Sequence, residues 1–326
     1  MTLTLARAGF SSTVQDLGRI GSRQMGVSLS GALDPHALRI SNLLTANEEG
    51  AAGLEITSGP VRLRVADSRL IAWGGGDYEV TINGRQISPG RPIVLKPGEE
   101  LSATGPKRGC RGWVAISGGI DVPPVLGSRS TDLRAQFGGQ EGRALRDGDV
   151  LTLGRNSKQA EDWIRKFESG VTVHWTAPFE WVSPARAGAT LRVVRGADWG
   201  RFDETAQQQF LGRAFTVLPA SDRMGARLQG PELSRNDRGD LFSEAVAPGT
   251  VQVPPDGQPI ILLGDCQTVG GYPKIAHVIT VDLPVAAQLR AGDNVRFGQV
   301  PLAEAHRLLA EREDHLAQFR TGLSLR

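Results

Sequence analysis

Short apolar stretches broken by Gly, Pro and Asp set the pattern of this chain. Val61–Ala66, Arg69–Trp73, Tyr78–Ile82, Ile93–Leu95, Trp113–Ser117 and Val150–Leu153 each read as a short strand between turn signals. Strands spaced this way predict barrels or sandwiches, because alternating βαβ units would need long helical periods between them. Helical signals are few. Asp34 followed by Pro35 supplies an N-cap and a first-turn proline, and the run to Asn47 places Leu38, Leu43 and Leu44 on neighbouring faces. Pro301 opens a second helix in which Leu302, Ala305, Leu309 and Leu316 recur at helical spacing, as expected of a surface helix packed on a barrel.

Two phrases suggest an internal duplication. Leu145-Arg146-Asp147-Gly148-Asp149, followed by Gly154, returns as Leu289-Arg290-Ala291-Gly292-Asp293, followed by Gly298. Upstream of each lies a Gly-Pro step, Gly59-Pro60 and Gly230-Pro231, and between these marks a Gly-Gly turn, Gly118-Gly119 and Gly270-Gly271. The order predicts two copies of one β unit. The charged stretch Ser157–Ser169 reads as the passage between them, and the domains are expected to span 1–185 and 186–326.

The 41 glycines and 19 prolines in 326 residues support a turn-dense protein. A net charge of +2, from 37 basic and 35 acidic residues that are interspersed, argues against nucleic acid as a partner. Cys110 and Cys266 alone make neither a disulfide framework nor a thiolate metal site, which suits a reducing, cytoplasmic setting. Residues 1–10 lack the pattern of an export signal and no stretch is apolar enough to span a membrane, so no membrane partner is expected.

Standard catalytic signatures are missing. There is no Gly-x-x-x-x-Gly-Lys-Ser/Thr loop, and Gly74-Gly75-Gly76 reads as a turn or bulge. Ser117 before Gly118-Gly119 lacks the first glycine of a nucleophile elbow. The five histidines show no metal-ligand spacing, so no metal site is expected.

Three segments do concentrate short polar side chains with charges in Gly-rich turns. The first holds Gln15, Asp16 and Arg19, then Gly26–Asp34, Asn42 and Glu55; the second holds Ser128, Arg129, Ser130 and Thr131; the third holds Asp265, Gln267, Thr268, Tyr272 and Lys274. Carboxylates beside guanidinium or ammonium groups and hydroxyls suit a small polar amide or carboxylate. Structural duties compete with that reading. Asp34 fits a helix N-cap, Asn42 a loop carbonyl, and Ser130-Thr131 its own turn, while Gln15, Asp16 and Arg19 fit internal pairing as well as a site.

Taken in order, Gln15-Asp16-Leu17-Gly18-Arg19, Gly26-Val27-Ser28 with Ser30-Gly31-Ala32-Leu33-Asp34, Leu126–Thr131 and Gln267–Pro273 resemble the allophanate hydrolase subunit 2 family. It is also called the biotin-dependent carboxyltransferase or KipA family. The resemblance implies a mainly β chain of two cyclophilin-like β-barrel domains in tandem, with a few short helices and the C-terminal helix. It implies a KipI-like partner, the allophanate hydrolase subunit 1 protein, with the site at their junction. Members serve as the C component of ATP-dependent 5-oxoprolinase, beside that B partner and a LamB/YcsF-like A subunit, opening 5-oxo-L-proline to L-glutamate. Others form the carboxyltransferase part of urea carboxylase or act as non-catalytic regulators. ATP would then be used by the complex and not clearly bound by this chain, and biotin enters only under the carboxylase alternative. On the oxoprolinase reading Arg129 and Lys274 are candidates to stabilise an oxyanion, with Asp265 or Asp16 as orienting groups or a proton acceptor. Gln15, Arg19, Ser128, Ser130, Thr131, Gln267, Thr268 and Tyr272 are candidate substrate-binding residues.

Overall fold

In Val61–Val65 the aliphatic side chains are buried while Arg62 and Arg64 stay exposed, the alternation expected of a sheet with one solvated face. Arg69–Gly75 differs, being buried along its whole length. The helix Pro35–Leu44 covers it. That helix starts as the sequence predicts: Asp34 Oδ1 accepts from the Ala37 N–H at 2.9 Å, and Pro35 sits in the first turn. It stops at Leu44, before the expected Asn47, because Asn42 Nδ2 donates to the carbonyls of Glu49 and Ala51 (3.0 and 2.8 Å) and draws the chain back across the helix end.

The computed structural model describes residues 1–171, 173–182, 188–236, 239 and 241–325. They form two compact units: Met1–Ile20, Ser30–Ala185 and Leu323–Arg326 in one, Gly21–Leu29 and Arg186–Gly322 in the other. The domain boundary expected between residues 185 and 186 lies outside the described residues.

The first unit carries a six-stranded and a five-stranded sheet. The six-stranded sheet runs in the order Val150–Thr152, Thr2–Ala8, Val61–Val65, Leu101–Thr104, Glu79–Ile82, Arg85–Gln86; the other runs Ser11–Gln15, Gly53–Thr57, Arg111–Ile116, Arg69–Gly75, Ile93–Leu95. Leu3, Leu5, Leu54, Leu63, Ile71 and Leu101 are fully buried in the aliphatic core. In the second unit seven strands close into a barrel. Closure is made by the parallel pairing of Ala189–Arg195 with Asn294–Gln299. Its core mixes aliphatic side chains such as Leu191, Val251 and Ile261 with an aromatic cluster in which Phe210 stacks on Phe297 at 4.4 Å between ring centroids and Phe215 lies 6.0 Å from Phe297.

The mainly β expectation with a C-terminal helix, Leu302–Ser324, holds. Among the described residues no helix is long and apolar enough to cross a membrane. The charged stretch read as a passage between halves is instead a helix, Lys158–Glu168. Ser157 Oγ caps the Ala160 N–H at 3.2 Å, and burial of Trp163 and Ile164 turns the charges to the outside. The duplicated phrases do fold alike. Gly148 and Gly292 have φ of 89° and 88°, and Asp149 and Asp293 each accept the backbone N–H three residues back, at 2.8 and 3.0 Å. The Gly-Gly marks differ, since Gly118 and Gly119 form a positive-φ turn whereas Gly270 lies in a strand.

Candidate functional site

Where the strand Ser11–Gln15 ends, Asp16 ties down a distant loop. Its Oδ1 accepts from Ser128 Oγ and Ser130 Oγ, both at 2.6 Å, and from the Gly18 N–H at 2.8 Å; its Oδ2 accepts from the Arg129 N–H at 2.6 Å. Ser130 Oγ in turn accepts the Asp16 N–H, and Ser128 Oγ the Ser130 N–H, each at 3.0 Å. Charge-assisted bonds of this kind are the strong ones. With both oxygens engaged by protein donors, Asp16 is built to orient the 128–130 loop.

The loop enters through a tight turn in which Leu126 and Gly127 have φ of 51° and 77°, closed by the Val125 N–H to Ser128 carbonyl bond of 2.8 Å. Leucine rarely adopts that conformation, so the surrounding bonds hold it there. Behind the loop the buried Arg19 donates to the Ser130 carbonyl and lies over the Phe137 ring at 4.4 Å. Gly138 permits this, because a Cβ there would stand 2.3 Å from the Arg19 guanidinium. Gln15 Nε2 donates to Thr13 Oγ1 and the Thr131 carbonyl, and Thr131 Oγ1 donates to the Val14 carbonyl at 3.0 Å. Arg129 alone in this cluster turns its cation outward: its side chain is 39% exposed and meets Asp121 at 2.8 Å.

In the second unit Lys274, on Lys274–Val278, sits between two carboxylates. Its ammonium lies 2.9 Å from Glu244 and 3.3 Å from Asp198, and its N–H donates to Asp198 at 2.9 Å. Burial pulls the Lys274 pKa down, but the bonds to Glu244 and Asp198 outweigh it and leave the pKa raised. Burial likewise pushes Asp198 up, and the backbone and ammonium of Lys274 more than offset it, so its carboxyl titrates below the ordinary range. A raised lysine contributes stability until pH climbs through its folded pKa, above about 10.4, and a depressed carboxylate contributes until pH falls below about 3.9. The melting-temperature difference between the native chain and a Lys274→Met variant is therefore expected to stay constant from about pH 5 to 9 and to shrink as Asp198 protonates. A thermal melt series across pH checks it; a difference that vanishes near neutrality rules the ion cluster out as its source.

Asp265 engages a different cation, in a buried bidentate pair with Arg223 (Nε–Oδ2 2.8 Å, Nη2–Oδ1 3.0 Å). Gln252 joins the rest of the segment, donating to the Tyr272 carbonyl at 3.1 Å and accepting from Gln267 Nε2 at 3.4 Å. Arg23 donates to the Val246 carbonyl and, at 3.1 Å, to the Gln267 carbonyl, while the Thr268 carbonyl accepts the Val246 N–H at 3.1 Å. The first unit thus gathers Gln15, Asp16, Arg19, Ser128, Arg129, Ser130 and Thr131, and the second holds Asp265, Gln267, Thr268, Tyr272 and Lys274. Sequence reasoning missed Asp198, Glu244 and Arg223. A signal existed for Asp198: Gly196 and Gly200 bracket it, and a Cβ on Gly196 would stand 2.1 Å from the Lys274 carbonyl oxygen.

The family model of the carboxyltransferase domain, subdomain A and B, matches residues 25–299. The chain belongs to this carboxyltransferase family. It is 39% identical over 97% of its length to the C component of 5-oxoprolinase from Escherichia coli (strain K12), covering 96% of that protein. The protein of the same name from Haemophilus influenzae is 37% identical, with 95% of this chain and 94% of the relative covered. Among solved structures, the urea amidolyase of K. lactis superimposes with a TM-score of 0.88 at 29% identity over 98% of this chain. This chain spans only 20% of that much longer protein.

Among the described residues of this carboxyltransferase-family chain, no group of three or more His, Cys, Asp or Glu side chains is placed to hold a metal ion. Cys266 is fully buried, and burial raises its thiol pKa against the opposing pull of Arg23. A thiol kept neutral is a poor nucleophile. Cys266→Ala is expected to cost within the ordinary range of about 0.5–3 kcal/mol in stability and to leave turnover of the assembled complex intact. Loss of turnover in a stably folded Cys266→Ala protein would point to a thiol mechanism.

Proposed function

We propose that the chain is the C component of an ATP-dependent 5-oxoprolinase, opening 5-oxo-L-proline to L-glutamate with a KipI-like B subunit and a LamB/YcsF-like A subunit. End-to-end correspondence with two proteins named for that role carries the reading, whereas the urea amidolyase likeness involves a fraction of a larger protein. A lactam is stabilised by amide resonance, so opening it requires activation of the carbonyl and stabilisation of the negative charge that develops on its oxygen. Arg129 fits that duty. The Asp16 network fixes its backbone, and its guanidinium can exchange the exposed Asp121 for a substrate oxygen.

Lys274 is the second candidate. Glu244, whose side chain is 63% exposed, is the partner that a substrate anion would displace from it. Asp16 and Asp265 act as orienting groups, since each already holds protein donors. Gln15, Arg19, Ser128, Ser130 and Thr131 serve the loop, which leaves Gln267, Thr268 and Tyr272 as the better substrate contacts. ATP is used by the complex and, with no phosphate-binding loop in this sequence, is held mostly outside this chain.

The test is reconstitution. This chain alone is expected to form no glutamate from 5-oxoproline and ATP, and addition of the B-type and A-type subunits is expected to start turnover. Turnover by the chain alone overturns its dependence on partners. The backbone likeness to a urea carboxylase structure of Kluyveromyces lactis supports a second reading, biotin-dependent carboxyl transfer to urea or a related amide. An inert trio, together with carboxylation once biotin and biotin carboxylase components are supplied, would decide for that alternative.

A further inference from the structure

Both sheets of the first unit end in short edge strands. Among the described residues Arg85–Gln86 pairs only with Glu79–Ile82, and Ile93–Leu95 only with Arg69–Gly75. A groove of about 730 Å³ is lined by residues of both edges. Its lining is mixed, with Ile87, Ile93 and Phe167 beside Asn83, Gln86 and Ser88. It is also lined by Arg85, Arg91 and Lys96, whose charged groups form no ion pair among the described residues. One carboxylate also lines it, Glu99, and that is committed to the Lys96 N–H at 2.9 Å.

Lone cations on an edge strand usually serve to keep sheets from pairing end to end, and they would repel the same edge of a second copy of this chain. Here, however, Arg85 on one edge strand and Arg91 and Lys96 on either side of the other line a single groove. An occupant that neutralises them must be anionic, and one that satisfies an open strand edge must present a backbone of its own in extended form. Side chains of an added strand alternate, so acidic residues can meet these cations while apolar ones meet Ile87, Ile93 and Phe167.

We infer that this groove binds an extended, acidic segment of another polypeptide chain, added as a strand beside Ile93–Leu95. The groove shares no residue with the Asp16 and Lys274 clusters, and the inference stands whichever reaction the complex performs.

The probe is a fluorescein-labelled peptide of four Glu-Val repeats, titrated with the full chain by fluorescence anisotropy at low ionic strength. Saturable binding is expected, weakened about tenfold or more in an Arg85→Glu/Arg91→Glu double variant, since two of these charges at roughly 0.7 kcal/mol each correspond to that factor. Higher salt should weaken it as well. A peptide N-methylated at every residue, which offers no N–H along either edge, should bind far less. Thermal melts of the double variant confirm that it folds. The proposal fails if no saturation is reached by about 1 mM, if a Lys-Val peptide binds equally, or if the charge-reversed variant binds as well as the native chain. It fails equally if the methylated peptide retains full affinity. Binding of inorganic phosphate or citrate that depends on Arg85 and Arg91, with no binding of the peptide, would make this a small-anion site and end the strand-addition idea.

Discussion

Arg129→Ala is expected to slow 5-oxoproline turnover by the reconstituted complex by about 10²–10³-fold, the scale on which removing one charge-stabilising group raises a barrier by about 2.7–4 kcal/mol. Folding should hardly change. The Arg129 side chain is 39% exposed, and its ion pair with Asp121 is a surface pair of the kind worth about 0–1 kcal/mol. The loop itself is held by the Arg129 backbone N–H, which alanine keeps. Asp121→Ala serves as the control: it removes the same ion pair and should leave the rate near normal. Steady-state kinetics with a melting curve for each variant separates the cases. Near-full turnover by Arg129→Ala would remove Arg129 from the reacting oxygen and make the loop a docking element.

The largest loss of stability is expected from Asp265→Ala. Arg223 and Asp265 are both more than nine-tenths buried and meet through two hydrogen bonds, so removing the carboxylate takes both bonds from a desolvated guanidinium. Breaking a buried pair from one side typically costs about 3–5 kcal/mol, whereas replacing both members with apolar residues of similar volume is often close to neutral. Urea denaturation of Asp265→Ala and of an Arg223→Met/Asp265→Leu double variant should therefore give a large drop and a substantial recovery. If the single variant loses less than about 1 kcal/mol, the pair is not the support that its burial implies.

Local signals carry most of what the chain reveals before folding. Asp34-Pro35 announces a helix start because an N-cap carboxylate and a first-turn proline act within four residues of each other, and Ile93–Leu95 is visible between its turns. Lys158–Glu168 carries a signal of the same kind, since Ala160, Trp163, Ile164 and Phe167 recur at helical spacing behind the Ser157 N-cap, but its density of charges draws a reading by composition to a solvated passage instead. The site divides along the same line. Residue types and Gly-rich spacing single out Asp16 and the 128–131 loop, but partners more than a hundred positions apart leave no local trace. Nor can Glu244 and Asp198 be assigned to Lys274 from sequence, because only barrel closure and the small two-stranded ribbon bring them to it.

Gly21–Leu29 belongs to the second unit, although the chain before and after it belongs to the first. During synthesis this segment leaves the ribosome more than two hundred residues ahead of the carbonyls of Val246 and Gln267 that receive Arg23. The nascent first unit must therefore fold around an excursion whose own contacts do not yet exist, and the closing step joins ends far apart in sequence, the kind of event that slows folding. No single cut releases either unit whole. A gene fragment starting at residue 188 would encode the barrel strands without Arg23, so exchanging the second unit between relatives requires two grafts in place of one.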